Sequence, residues 1–303
     1  MCYHRAVRGR NCGVYDEGSV KMAQIVLENV SYYHGKDTPY EIKALNNISL
    51  TVPEGVITGL IGHTGSGKST LVQMFNGLLA PHEGRVLIDG TDIWSAPKKI
   101  RDVRFKVGLV MQYPEYQLFE ETIFKDIAFG PKNMGVPEEQ IEERVLQAAD
   151  FVGLDRTLLD KSPFDLSGGQ KRRAAIAGVI AMRPDVLVLD EPAAGLDPRG
   201  RDSIFANIME YQKQCGNTVV IVSHSMEDMA RLCDHLIVMS AGEILMCGDR
   251  SAVFTQAEKL VEVGLDVPQI TQLMNMLKAR GVASAKGIYT VEQAYEFVKN
   301  NLR

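Results

Sequence analysis

Two patterns of hydrophobic residues divide the first part of the chain. From residue 25 to about residue 118, short apolar stretches alternate with turn residues, which predicts short β-strands. From residue 121 to residue 182 the apolar residues follow helical spacing instead, as Ile141, Val145 and Ala149 illustrate. We therefore expect a strand-rich region followed by a helical subdomain at about residues 120–182.

Strand-like and helix-like segments alternate in the next part of the chain. Residues 186–189, 218–222 and 236–239 are predicted strands, and residues 199–214 and 226–232 are predicted helices between them. Such alternation is typical of a parallel sheet with crossover helices.

The C-terminal region, residues 251–303, is predicted to be helical. Apolar residues share a face in two of its helices: Val267, Ile270, Leu273, Met274 and Leu277 in one, and Val291, Ala294, Tyr295 and Val298 in the last. Thr290 and Gln293 have the spacing of a capping box. Three short helices form little core alone, so we expect them to pack on the main domain or on a second protomer.

The N-terminal segment, residues 1–22, has no periodicity and no apolar core of a signal peptide. We expect a disordered extension here, with Met22 close to the functional start. The main domain is then expected to occupy residues 23–250.

Composition and charge exclude several classes of protein. The chain has 303 residues, 45% of them hydrophobic, and a net charge of −5, so it is globular and offers no polybasic surface to nucleic acid. Its longest apolar runs are strand-length, far below the roughly 18–20 residues that span a bilayer. The five cysteines are odd in number and lack zinc-finger spacing, which indicates reduced thiols in a cytoplasmic protein.

A phosphate-binding loop is the clearest chemical signal. Residues 62–69, GHTGSGKS, match G-x-x-x-x-G-K-[ST] in full, after a predicted strand and before a predicted helix. The candidate nucleotide-binding residues here are Gly62, His63, Thr64, Gly65, Ser66, Gly67, Lys68, Ser69 and Thr70. The glycines let backbone N–H groups face the phosphates, Lys68 supplies positive charge, and the Ser69 hydroxyl can bind Mg²⁺. His63 occupies a variable position of the motif and receives no catalytic role.

Two acidic residues follow the apolar strand at residues 186–189. Asp190 is predicted to hold Mg²⁺ beside Ser69, and Glu191 to accept a proton from an attacking water. Paired acids at a strand end are often only solvated, but the P-loop upstream favours the catalytic interpretation.

A second anion cradle is predicted at the start of a helix. Ser167, Gly168, Gly169 and Gln170 follow Leu166 and combine a hydroxyl with exposed N–H groups. Taken alone, the motif would be an ordinary helix N-cap. The P-loop, LSGGQ and Asp-Glu-Pro, in that order, resemble the nucleotide-binding domain of ABC ATPases, and the resemblance extends from about residue 25 to residue 248.

The resemblance implies a fold, ligands and further site residues. The fold is of the α/β class: a P-loop NTPase with a mixed sheet core, a helical signature subdomain and a small C-terminal helical extension. ATP and Mg²⁺ are the implied ligands. Gln112 resembles the Q-loop glutamine that contacts Mg²⁺ and water, Asp197 the D-loop aspartate, and His224 the switch histidine that contacts the γ-phosphate. With Lys68 and Glu191, Gln112 and His224 complete the implied catalytic set.

The implied adenine contact is an aromatic ring just after the first strand. Tyr32, Tyr33 and Tyr40 lie nearby in sequence, whereas the expected spacing points to His34. Tyr33 and Tyr40 are kept as alternatives.

The subtype is indicated by longer stretches. Residues 35–43, 111–122 (MQYPEYQLFEET), 166–178 (LSGGQKRRAAIAG), 191–201 (EPAAGLDPRGR) and 263–268 resemble the ATPases of energy-coupling factor (ECF) transporters, in particular the second, A2-type subunit. In ABC ATPases each ATP lies between the P-loop of one subunit and the LSGGQ of the other, so a chain with one copy of each must dimerise.

The resemblance also implies partners and a location. They are a second, non-identical ABC ATPase, a transmembrane coupling protein and a small substrate-binding membrane protein, at the cytoplasmic face of the cell membrane. The transported substrate would be a vitamin or a transition-metal ion, selected by the small membrane protein. The alternatives are an ATPase of a conventional ABC importer or a non-transport ABC ATPase. The latter fits less well because the chain lacks a second ATPase domain, zinc-binding cysteines and coiled coils.

Overall fold

The structure, a computed structural model, describes residues 24–281 and 287–301, so the expected disordered extension lies outside the described residues. The strands are β1 (Ile25–His34), β2 (Ile42–Val52), β3 (Ile57–Gly62), β4 (Glu83–Ile88), β5 (Thr91–Asp92), β6 (Val107–Val110), β7 (Val186–Asp190), β8 (Thr218–Val222), β9 (His235–Ser240) and β10 (Glu243–Asp249). The α-helices are α1 (Lys68–Phe75), α2 (Ile100–Lys106), α3 (Ile123–Asn133), α4 (Glu138–Phe151), α5 (Gly168–Ile180), α6 (Pro198–Cys215), α7 (Met226–Leu232), α8 (Arg250–Phe254), α9 (Ala257–Glu262), α10 (Gln269–Ala279) and α11 (Val291–Asn301).

A six-stranded mixed sheet forms the centre of the chain, as predicted. Its order is β10-β9-β3-β8-β7-β6, with β9, β3, β8, β7 and β6 parallel and β10 antiparallel to β9. Every residue of β3, β7 and β8 is buried, which explains why their sequences are apolar without alternation. The carboxyl ends of β3, β8, β7 and β6 lie along one edge, where α/β sheets bind ligands.

A four-stranded antiparallel sheet, in the order β2-β1-β4-β5, packs beside the large one. Its first two strands have 10 and 11 residues and are longer than the short strands we predicted. The register of β1 shifts after Leu27 and again after Val30, and Asn29 and Asn47 each adopt a φ of 50°. Such bulges interrupt the two-residue alternation, so the sequence pattern shows only fragments of each strand.

The helical region contains α3, α4 and α5. Ile141, Val145 and Ala149 of α4 are buried, as their spacing predicts. The signature helix α5 starts with a complete capping box between Ser167 and Gln170. The Ser167 N–H donates to Gln170 Oε1 at 2.8 Å, and the Gln170 N–H donates to Ser167 Oγ at 3.4 Å.

The C-terminal helices divide into two groups. Val253 and Phe254 of α8 and Leu260 of α9 join the main hydrophobic core. Met274 of α10 and Ala294 of α11 instead belong to a small separate cluster. The last helix has its predicted capping box: the Thr290 N–H donates to Gln293 Oε1 at 3.1 Å, and the Gln293 N–H donates to Thr290 Oγ1 at 3.3 Å.

Part of each apolar face in this region is not buried within the single chain. Leu273, Val291, Tyr295 and Val298 are exposed, by 49%, 68%, 63% and 40% respectively. Helices α10 and α11 have only 11 residues each and enclose a small cluster, so each of them buries only a few side chains. Among the described residues, no helix combines the length and apolarity that crossing a membrane requires.

Candidate nucleotide site

The P-loop connects the buried strand β3 to α1. Gly67 adopts a φ of 99°, and a Cβ added there would lie 2.5 Å from the Ala44 carbonyl oxygen. Both features require glycine at this position. The Gly67 conformation turns the chain into α1, whose N-terminus then faces the loop.

Lys68 lies over the P-loop. Its Nζ donates to the carbonyl oxygens of Gly62 at 2.8 Å and His63 at 2.9 Å. Burial lowers the pKa of Lys68, and the nearby charges of Glu191 and Asp190 oppose that shift. The ammonium is thus partly desolvated, which strengthens its attraction for an anion.

Asp190 and Ser69 provide two oxygen donors beside Lys68. Asp190 is 7% exposed at the end of β7, and Ser69 lies close enough to influence its pKa. Burial raises the pKa of Asp190, and Ser69 and Lys68 oppose this, whereas Glu191 adds to it. A buried carboxylate next to a hydroxyl is a donor set that suits a hard divalent cation.

Glu191 is held in a fixed orientation next to His224. The Glu191 backbone has a φ of 51°, and its N–H donates to the Val222 carbonyl oxygen at 3.0 Å. The carboxylate Oε1 lies 2.8 Å from His224 Nδ1. The Glu191 side chain is 14% exposed and the His224 imidazole is 79% exposed. The carboxylate is therefore mostly buried in the protein, whereas the imidazole faces solvent.

Two clefts adjoin at Glu191, and His224 lines the second of them. The first, which we call the P-loop cleft, has a volume of about 390 Å³; its lining residues include His34, Thr64, Lys68, Ser69, Thr70, Gln112, Asp190 and Glu191. The second, the switch cleft, has a volume of about 740 Å³; its lining residues include Lys68, Gln112, Glu191, Leu196 and His224. Gln112 follows β6 directly after Met111 and lines both clefts.

His34 lies in the P-loop cleft, with Nε2 3.2 Å from Thr70 Oγ1. Tyr33 and Tyr40 are absent from the residues that line this cleft. Residues 42–44 at the start of β2 also line it, and nothing in their sequence indicated this.

The LSGGQ residues lie apart from both clefts. Ser167, Gly168, Gly169 and Gln170 line neither of them. Apart from the chain neighbours and the backbone of α5 itself, no atom of the described residues lies within 4 Å of the position that a Cβ would take at Gly168. At Gly169 the corresponding position has Leu196 Cδ2 at 3.8 Å. The fold of this chain therefore leaves these glycines open.

Asp197 also lies outside the lining of the two clefts. It is exposed and caps α6, where its Oδ1 accepts the Gly200 N–H at 2.8 Å. Its side chain thus stabilises the N-terminus of α6.

One buried ion pair was missed by sequence reasoning. Arg172 and Glu115 form a bidentate pair although they lie 57 residues apart. Both belong to stretches that carry the ECF resemblance, but no spacing rule connects two charges so distant in sequence.

Comparisons with known proteins show the family of this chain. A family model described as "ABC transporter" matches residues 45–194. The energy-coupling factor transporter ATP-binding protein EcfA2 of Caldanaerobacter subterraneus subsp. tengcongensis is 51% identical over 279 residues, covering 92% of this chain and 98% of that protein. EcfA2 of Clostridium tetani is 53% identical over 271 residues, covering 89% and 94%.

Two solved structures have a similar fold. CbiO1 from Clostridium perfringens, described as part of the ABC transporter complex CbiONQ, has a TM-score of 0.70 and 39% identity, covering 83% of this chain and 98% of that chain. The ATP-binding cassette MJ0796, a dimer in a post-hydrolysis state bound to ADP and Pi, has a TM-score of 0.66 and 27% identity, covering 74% and 98%.

Proposed function

Because the chain belongs to the ATP-binding proteins of ECF transporters, a branch of the ABC family, we propose that it hydrolyses MgATP at a site completed by a second ATPase subunit. The chain is an ATP hydrolase of the ABC type, coupled to transport. One observation carries the proposal: the P-loop, Asp190 and the Glu191–His224 pair converge on two adjoining clefts, whereas the LSGGQ glycines lie open elsewhere.

The phosphates of ATP bind the P-loop in this proposal. Residues 62–70 supply backbone N–H groups, and Lys68 turns from its two carbonyl acceptors to the β- and γ-phosphates. His34 contacts the adenine from the wall of the P-loop cleft, because it lines that cleft and Tyr33 and Tyr40 do not.

Mg²⁺ fits the oxygen atoms of Ser69 and Asp190, which line the same cleft. Gln112 lines the same cleft and adds an amide oxygen. When bound, the ion neutralises negative charge on the β- and γ-phosphates.

The Glu191 carboxylate is the general base for the attacking water. Its contact with His224 Nδ1 fixes the carboxylate. If Nδ1 donates to Glu191, a neutral imidazole has only a lone pair on Nε2, so donation from Nε2 to the γ-phosphate requires the imidazolium, which donates from both nitrogens. Lys68 stabilises the charge that develops on the phosphoryl group as the water attacks in line.

The signature motif serves the nucleotide held by the other subunit. Packing within this chain does not require glycine at positions 168 and 169, because both have open space around them. The close approach of an external group explains the two glycines better. The N-terminus of α5 adds exposed N–H groups suited to a phosphate. The dimeric arrangement of MJ0796 supports such a shared site.

The chain acts together with other ECF components. We assign the second ATPase position to a non-identical ABC subunit, and the membrane partners to a transmembrane coupling protein and a small substrate-binding protein that selects the cargo. An apolar groove of about 310 Å³ next to the segment after Gln112 suits the coupling protein. Phe119 and Phe129 line it, 64% and 45% exposed, with ring centroids 4.9 Å apart. The chain then lies peripherally at the membrane.

A substitution in the signature motif tests whether the site is shared. Ser167→Arg adds bulk at the LSGGQ motif, whose residues line neither of this chain's own clefts. We expect the isolated Ser167→Arg chain to bind MgATP as the wild type does, while hydrolysis by the assembled ATPase pair falls at least about tenfold. Lys68→Ala should weaken binding in the isolated chain. Loss of ATP binding by isolated Ser167→Arg would place the signature in this chain's own site and contradict the proposal.

A further inference from the structure

A buried arginine connects three segments of the site. Arg172 lies on α5, two residues beyond the LSGGQ motif, and is 3% exposed. Its Nε and Nη2 donate to Glu115 Oε2 and Oε1 at 3.0 and 2.7 Å. Glu115 belongs to a short 3₁₀-helix, Pro114–Gln117, that begins two residues after Gln112.

The third segment is the turn after the general base. Arg172 Nη1 donates to the carbonyl oxygen of Ala194, three residues beyond Glu191 and three before Asp197. The guanidinium also lies 6.0 Å from the centre of the Tyr113 ring. One side chain thus contacts the Gln112 segment and the Glu191 turn from the signature helix.

The chemistry of this contact favours positioning over simple packing. A guanidinium presents its donors in one rigid plane. When it binds a carboxylate with two hydrogen bonds and a carbonyl with a third, it fixes α5, the Pro114–Gln117 helix and the Ala194 turn in orientation relative to one another. Apolar residues of similar volume would fill the space without fixing those orientations, and a buried ion pair is by itself weak evidence for stability.

We propose that Arg172 is a positioning residue that makes hydrolysis depend on the position of the Pro114–Gln117 helix. When a membrane partner moves this helix, Glu115 moves the guanidinium, and the guanidinium moves both the LSGGQ end of α5 and the Ala194 turn. The inference rests on the proposed function, since it assumes a shared site and a docked membrane partner.

The test measures MgATP hydrolysis by the complete membrane complex that contains this chain. The variants are Glu115→Gln, Arg172→Lys, Arg172→Gln and the double variant Glu115→Gln with Arg172→Gln. The matched control is Arg156→Gln, which breaks an exposed bidentate pair with Asp150 in the helical region. For every variant, the KM for MgATP, kcat and thermal unfolding of the chain are measured.

We expect each Glu115 and Arg172 variant to lower kcat by about tenfold with KM within about twofold of wild type. The double variant should lose no more than the Arg172→Gln single, because both residues act as one unit. Arg172→Lys should not rescue kcat, because an ammonium cannot replace the planar bidentate contact. Arg156→Gln should retain wild-type kinetics.

Three results would overturn the inference: wild-type kcat in the Arg172 variants, additive losses in the double variant, or a kcat loss that only follows a lower unfolding temperature. Failure of the proposed function has a different signature. In that case the wild-type complex would not hydrolyse MgATP, or Glu191→Gln would leave hydrolysis unchanged, whatever the Arg172 variants do.

Discussion

At the scale of single residues, hydrogen bonding and burial at one edge of the large sheet determine the chemistry of the site. Glu191 is oriented by its positive φ and by His224, 2.8 Å away. Asp190, one residue earlier, is buried beside Ser69 and Lys68. Two adjacent carboxylates therefore differ in their contacts, which suits the different roles that we propose for them.

Glu191→Gln removes the proton acceptor and preserves the shape of the side chain. In the assembled pair we expect phosphate release to fall by at least about 100-fold, the usual contribution of a positioned general base. ATP should remain bound, because the phosphate contacts in this proposal come from the P-loop and not from Glu191. Phosphate release and retained nucleotide are both measurable on the complex.

Glu142→Gln is the matched control, since Glu142 is exposed on α4, away from both clefts. It should behave as wild type. Turnover of Glu191→Gln at the wild-type rate would show that Glu191 is not the base.

The Asp190→Asn substitution distinguishes the effect of the Asp190 charge on folding stability from its effect on Mg²⁺ binding. Burial raises the pKa of Asp190, so its ionised form destabilises the folded chain at neutral pH. The stability associated with this group is present below the pKa of the unfolded chain and is lost as pH rises through the raised pKa of the folded chain. We expect Asp190→Asn to raise the nucleotide-free melting temperature at pH 8 by about 2–4 °C.

The same substitution should abolish the additional stabilisation that Mg²⁺ gives in the presence of ATP. The gain in melting temperature should shrink as pH falls, because wild-type Asp190 then becomes protonated. Asp160→Asn, on an exposed residue, should change neither property. A lower melting temperature for Asp190→Asn at pH 8 would contradict this interpretation.

At the scale of elements, two glycines of the nucleotide motifs have opposite reasons for being glycine. Gly67 has a φ of 99° and would place a Cβ 2.5 Å from Ala44 O, so the fold requires it. Gly168 starts α5 with open space around it, so the fold does not. We infer that the need for Gly168 comes from a nucleotide held by the neighbouring subunit.

Alanine at each position tests this difference. Gly67→Ala should lower the free energy of unfolding by about 1–3 kcal/mol. Gly168→Ala should leave it within about 0.5 kcal/mol of wild type and still reduce hydrolysis by the assembled pair at least about tenfold. Urea unfolding and phosphate release measure the two effects. Equal destabilisation by both substitutions, or full activity of Gly168→Ala, would be inconsistent with an external contact at Gly168.

Strands that are buried on both faces could be predicted from the sequence, because burial alone determines their hydrophobic pattern. The buried strands β3, β7 and β8 were recognisable because their apolar runs are continuous. The long strands β1 and β2 were not, because bulges break the alternation that a sequence pattern depends on.

Much of the candidate site could also be predicted, since motifs specify residues that lie close in sequence or at strand ends. The contact of Glu191 with His224 follows from the adjacent ends of β7 and β8. The Arg172–Glu115 pair could not be predicted, because it depends on how α5 packs against the helix after Gln112.

At the scale of the whole molecule, the C-terminal region exposes apolar side chains that are not part of the main core. Met276 and Leu273 of α10 and Tyr295 and Val291 of α11 are each about half exposed or more. By contrast, Phe254 and Leu260 belong to the main core. We infer that α10 and α11 contact another subunit, whereas α8 and α9 stabilise the fold of this one.

Met276→Glu combined with Tyr295→Glu should therefore weaken pairing with the second ATPase at least about tenfold. The melting temperature of the isolated chain should stay within about 2 °C of wild type, because both side chains are exposed. Asn275→Glu, which adds an acidic group to the same helix, should pair normally. Unchanged pairing of the double variant would exclude this face from the subunit interface.

The most direct test of the account is the subunit composition of the membrane complex that contains this chain. The chain is tagged, isolated from detergent-solubilised membranes with MgATP, and weighed as an intact complex by native mass spectrometry. We expect one copy of this chain with one non-identical ABC ATPase, one transmembrane coupling protein and one small substrate-binding membrane protein. Two copies of this chain on a conventional permease, or no second ATPase at all, would contradict the account.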